Sequence, residues 1–170
     1  MPRASGFTLI ELLFVVALLA VVLSIGAPAL QTMVINNRIS TAAGDLMSDF
    51  TFARATAIAR SQRIGLCASS DQATCSGSSF TQGWIIYVDA NANGNFDVAT
   101  DTIVRVHDAL AGNPTVTPTP SALGIVFRPS GPADAARTFQ ICKPGFVGRN
   151  IALNATGRAS STPTAVLTSC

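Results

Sequence analysis

Glu11 is the one charged residue in the most apolar part of this sequence. From Phe7 to Leu30 every other residue is apolar, small or hydroxylated. An ionised carboxylate inside an apolar helix costs about 2.5–3.5 kcal/mol on insertion scales, so it calls for a partner charge or a special role. A second group of oxygens occurs in Asp89-Ala-Asn-Ala-Asn-Gly94-Asn-Phe-Asp97. Asp89, Asn91, Asn93 and Asp97 follow the alternating spacing of a calcium loop, with a glycine at its sharp turn. Thr100 stands where such a loop carries a bidentate glutamate, and the same residues suit a hairpin turn that uses Asn and Gly for left-handed backbone angles.

The cysteines and the bases complete the reactive inventory. Cys67, Cys75, Cys142 and Cys170 all lie beyond the apolar run, and their even number suits disulfides in an oxidising compartment. Of the three pairings, Cys67 with Cys75 and Cys142 with Cys170 are favoured, since they join neighbouring turns or tether the chain end. No CxxC spacing occurs and His107 is the sole histidine, which argues against zinc. His107 also has no cysteine or serine beside it in a recognisable catalytic motif, so the sequence is read as a non-enzyme with no cofactor other than the calcium option. After Asp134 the chain carries Arg137, Lys143, Arg149 and Arg158 and no acid, a basic field that would attract phosphate if these residues shared a face.

The elements that position these groups follow from periodicity. As a helix, residues 7–30 would be about 36 Å long, enough for a hydrocarbon core of about 30 Å. Arg3 precedes the span, so the N-terminus is expected to stay cytoplasmic and the remainder to lie outside. Beyond Pro28, which should bend the helix, the pattern becomes amphipathic. Ile35, Ile39, Ala42, Leu46, Phe50, Ala53 and Ala57 recur at steps of three or four, while Arg38, Asp45, Asp49, Arg54 and Arg60 lie largely off that stripe. The helix is expected to reach about Arg63. Short β-branched and aromatic runs then predict strands at 64–68, 84–89, 103–107, 124–128, 138–142 and 150–153, with a polar loop at 69–83 and an exposed, mobile Pro/Thr loop at 112–121. Trp84 and Phe127 read as core.

Gly6-Phe7-Thr8-Leu9-Ile10-Glu11 followed by the apolar run closely resembles the type III signal of type IV pilins and type II secretion pseudopilins. The stretches 48–60, 83–94 and 148–158 look like the GspH/FimT group of minor pilins. The resemblance implies an α+β, type IV pilin-like fold: a leader at 1–6, a transmembrane half-helix at 7–30, an amphipathic half at 31–63, and an antiparallel β-sheet head at 64–170. It also implies cleavage by a prepilin peptidase between Gly6 and Phe7, N-methylation of Phe7, and use of Glu11 in assembly with other pilins or pseudopilins. The new amine at Phe7 would give Glu11 of a neighbouring subunit its partner charge. The subunit would wait in the bacterial inner membrane, spanning it once with a periplasmic head, before joining a type IV pilus or a secretion pseudopilus. Some FimT-type minor pilins bind DNA in natural transformation through a Gly-Arg-x-Arg element; here Gly157-Arg158-Ala159-Ser160 lacks the second arginine.

Overall fold

The computed structural model describes residues 8–170. It opens on one helix, α1 (Leu9–Arg60). Thr8 caps α1: its carbonyl accepts the first helical bond, from the Leu12 N–H at 3.2 Å, and its hydroxyl accepts the Glu11 N–H at 3.3 Å, which satisfies one of the amides that a helix start leaves unpaired. Pro28 lies inside α1 and the helix runs on past it. The missing proline N–H removes one bond of the ladder, and the Thr32 hydroxyl donates to the Pro28 carbonyl at 3.1 Å.

The helix stops three residues before the expected Arg63. Ser61 has φ 52°, in the left-handed region. Its N–H donates to Ile58 O at 3.3 Å and the Gln62 N–H to Ala57 O at 3.2 Å. This paired reversal is a Schellman cap, which closes the last carbonyls and turns the chain away.

The chain divides into two units, one ending at Ile35 and one spanning Asn36–Cys170. In the second unit the strands are β1 (Ile64–Ala68), β2 (Trp84–Val88), β3 (Thr102–His107), β4 (Thr115–Thr119), β5 (Gly124–Phe127), β6 (Arg137–Cys142), β7 (Val147–Leu153) and β8 (Ala159–Val166). They form two four-stranded sheets, ordered β3-β2-β1-β5 and β4-β6-β7-β8, with every pairing antiparallel. Ile39, Ala42, Leu46, Phe50, Ala53 and Ala57 of α1 are buried with Phe80, Trp84, Phe127 and Phe139. Phe50 packs on Phe139 at 5.1 Å between ring centres and on Phe127 at 6.5 Å. The apolar stripe of α1 is therefore one wall of the core, and its aromatic contacts reach both sheets. Where β1 faces β2, Gly65 lies opposite Tyr87, and a Cβ at Gly65 would collide with the Tyr87 ring.

Two strands depart from the sequence reading. Residues 112–121 are not a mobile loop, because Thr115–Thr119 pair along β6 and Val116 is buried. β4 is an edge strand, where Pro118 is tolerated because one side of the strand needs no ladder bond. β8, on the opposite edge, was not expected at all. It carries Pro163 among Ser, Thr and Ala, so no apolar alternation marks it.

Candidate functional site

The N-terminal segment is built around Glu11. Gly6 and Phe7, the expected cleavage and methylation residues, lie outside the described residues. Glu11 occupies the first turn of α1, where a negative charge is favoured by the helix dipole. Its neighbours Leu9, Ile10, Leu12, Leu13 and Phe14 are all exposed. An eighteen-residue window of α1 has mean hydropathy 2.8 with none of it buried within the chain. A surface this apolar is long enough to cross a bilayer or to be covered by other helices. Glu11 forms no ion pair among the described residues.

Another carboxylate of α1 lies elsewhere than the sequence suggests. Asp49 is not off the buried face: it is 4% exposed, accepting the Trp84 indole N–H at 2.8 Å and an Arg105 guanidinium N–H at 2.8 Å. Arg105 in turn lies over the Phe52 ring, 3.6 Å from its centre. The bonds fasten β2 and β3 to the helix. Asp49 follows Leu46 by three residues and adjoins Phe50, so the helical spacing alone could have placed it on the flank of the stripe. His107 belongs to the same corner, stacked on Trp84 at 3.9 Å between ring centres, with Nδ1 2.8 Å from Asp108 O and Nε2 3.7 Å from Asp45.

The four bases do not make a free patch. Arg137 pairs with Asp134 at 2.9 Å, and its side chain is 10% exposed. Its partner stands immediately before the stretch that holds the four bases. Arg149 donates to the Ser40 hydroxyl of α1 at 3.2 Å, and Lys143 donates to the Gly112 carbonyl at 3.3 Å. Arg158 is exposed. Its neighbour Gly157 has φ 77°, and a Cβ there would strike the Gly131 carbonyl. Packing therefore accounts for the glycine of the Gly-Arg pair.

Disulfides join Cys67 to Cys75 and Cys142 to Cys170. Within the first of these loops Asp71 accepts from the Thr74 hydroxyl at 2.6 Å and from the Thr74 and Ala73 amides at 2.8 and 3.0 Å. The Thr74 hydroxyl, followed by those amides, holds the Asp71 carboxyl well below the usual range. Asp89, Asn91, Asn93 and Asp97 are gathered in the β2–β3 loop, where both amides donate to Asp97.

Comparison with known proteins places the chain. The family model described as type II transport protein GspH matches residues 42–157, and the model described as prokaryotic N-terminal methylation motif matches residues 1–27. The pilin-like protein PilA1 of Thermus thermophilus is 30% identical over 161 residues, covering 91% of this chain and 96% of that protein. Among solved structures, the type IV minor pilin FimU of Pseudomonas aeruginosa superposes with a TM-score of 0.59 at 22% identity, over 75% of this chain and 90% of FimU. A second crystal form of FimU gives 0.56, also at 22% identity, over 73% and 92%. These structures share the fold.

Proposed function

We propose, because this chain belongs to the GspH family and carries the N-terminal methylation motif, that it is a minor subunit that primes or caps a type IV pilus or a type II secretion pseudopilus. The carrying observation is the unburied apolar first half of α1 with a single carboxylate in its opening turn. A folded head does not use that surface, whereas a bilayer and then a bundle of like helices would cover it. In this reading a prepilin peptidase cuts between Gly6 and Phe7 and the new amine is methylated. The subunit then waits in the bacterial inner membrane with its head on the periplasmic side. On assembly Glu11 meets the Phe7 amine of a neighbouring subunit, and the desolvated pair fixes register.

Mass spectrometry of the mature protein tests the first step: a chain beginning at methylated Phe7 is expected, and one beginning at Leu30 refutes it. Replacing Gly6 by a bulky residue should leave the leader attached and abolish incorporation. Filament counts in a deletion strain test the second step, with loss or shortening expected.

Presentation of the basic tail to DNA has less support, since Arg137 and Arg149 are held within the head. If Lys143 and Arg158 alone reach phosphate, binding to duplex DNA should show a log-log salt slope of about −2. A slope near −4 would mean that all four bases are free after all.

A further inference from the structure

The β2–β3 loop holds more negative charge than its surroundings neutralise. Asp89, Asp97 and Asp101 lie in it, and the guanidinium paired with them is Arg63, whose Nε is 3.0 Å from Asp89 Oδ2.

Asp89 adds an independent observation. Its side chain is 0% exposed, and its Oδ1 has no hydrogen-bond partner. The other oxygen, Oδ2, accepts the Gly94 N–H at 3.1 Å, which puts the carboxylate beneath the turn with one oxygen unpaired. A buried carboxylate oxygen left without a partner is costly, and a cation would remove that cost. Above it, Asn91 and Asn93 each turn an amide N–H to Asp97 Oδ2, at 2.7 and 2.6 Å. Two partial positive charges thus stand where a full one would fit. Asp101 closes the loop by accepting the Ala90 and Asp97 amides at 3.0 and 2.9 Å. It is a positioning residue.

Among the described residues no three His, Cys, Asp or Glu groups are close enough to hold a metal by themselves. The donor set here is instead carboxylate mixed with amide oxygen, which suits a hard cation with flexible coordination and not zinc. We infer that the β2–β3 loop binds calcium through Asp89 Oδ1 and the side-chain oxygens of Asn91, Asn93 and Asp97. The Asn91 and Asn93 side-chain oxygens accept the Asn93 and Asn95 N–H groups at 3.1 and 2.7 Å, and each keeps a second lone pair with which to meet the ion. With Thr100 in place of a bidentate ligand, affinity falls at the weak end of the scale, about 10⁻⁴–10⁻³ M, as in extracellular modules. The inference stands independently of the filament reading.

The test uses the full chain in detergent micelles after chelation, titrated with calcium or magnesium over about 0.01–10 mM. Unfolding temperature is one readout. The other is terbium emission sensitised through Tyr87, the sole tyrosine, whose hydroxyl lies 3.5 Å from the Gly94 carbonyl. Calcium should raise the unfolding temperature where magnesium does not, and should displace terbium from a saturable site. Asn91→Ala and Asp97→Ala should each weaken calcium by about tenfold or more, while Asp108→Asn in another segment should not. The inference is overturned if the parent shows neither a calcium-dependent rise nor saturable terbium emission. It is equally overturned if Asn91→Ala, whose exposed side chain is dispensable to the core, binds calcium as the parent does. The parent titration needs no variant, so a variant that fails to fold leaves the outcome decided.

Discussion

Helix α1 carries three carboxylates, and two of them, Glu11 and Asp49, are in opposite circumstances. Asp49 is buried and has both its partners, Trp84 and Arg105, in its own chain. Glu11 has apolar side chains around it and no ion-pair partner among the described residues. One helix thus serves two packing problems. From Asn36 onward a buried stripe and the buried, paired Asp49 help fix the head; the helix up to Ile35 presents an apolar surface and a carboxylate with no ion pair among the described residues. In the proposed function, partnership within the chain serves folding and partnership outside it would serve assembly.

The largest expected effect separates the two carboxylates. Glu11→Ala makes the span more apolar, so membrane retention should be undiminished, while a partner amine in the filament would lose its counter-charge. Leaving one member of a buried pair alone costs about 3–5 kcal/mol, enough for a roughly hundredfold fall in incorporation. Quantitative blots of sheared filaments against membranes check this. Undiminished incorporation would break the comparison, since Glu11 would then have no external partner to lose.

Loss of the Cys142–Cys170 link comes next. The disulfide has a sequence separation of 28, and in the chain-entropy account a loop of that size contributes about 3.5 kcal/mol to head stability. Cys142→Ser with Cys170→Ser should lower the urea midpoint by the corresponding amount. It should also release the end of β8 without altering membrane insertion. Peptide mapping without reductant should recover Cys142 joined to Cys170; recovery of Cys67 joined to Cys142 would contradict the structure.

Asp49→Ala should affect the head alone. Removing the carboxylate leaves the Trp84 indole N–H without an acceptor, at about 1–3 kcal/mol. The Arg105 side chain is 41% exposed, so it can turn to water and its share is screened. A net loss of about 2 kcal/mol in head stability follows, measurable by denaturant unfolding, with Glu11-dependent incorporation retained at temperatures where the head stays folded. Because Asp49 bonds to Trp84 and Arg105 and not to the Cys142–Cys170 pair, the two losses should add to within about 0.5 kcal/mol.

What the sequence revealed follows the same division. The apolar first part of α1, the helical stripe and six strands were legible because each leaves a local pattern: an apolar run, a three-to-four spacing, or β-branched clusters between turn residues. The flank position of Asp49 was there to be read in the helical spacing, but its partner residues, Trp84 and Arg105, are 35 and 56 positions away, and no local period announces a distant indole. β4 and β8 escaped because an edge strand is half solvated and tolerates Pro118 and Pro163, so its composition matches that of a loop. The basic tail looked free for a related reason. Arg137 is matched by an acid three residues earlier, and Arg149 by a helix hydroxyl 109 positions away.

The smallest effect tests the end of α1, where the folding half of the helix terminates. Ser61 adopts φ 52°, a conformation that costs a residue bearing a Cβ about 1–2 kcal/mol. Glycine would remove that cost, but it would also widen the unfolded ensemble by about 0.4–1 kcal/mol. The difference favours Ser61→Gly by about 0.5 kcal/mol, which corresponds to a rise of about 1–2 °C in unfolding temperature for a chain of this size. The reversal bonds from the Ser61 and Gln62 amides to Ile58 and Ala57 are made by the backbone and should survive the change. Calorimetry of parent and variant checks the sign. A lower unfolding temperature would mean that Ser61 makes a stabilising contact beyond its backbone role. Filament incorporation should be unaffected, because the substitution touches the half of the helix whose partners lie within the chain.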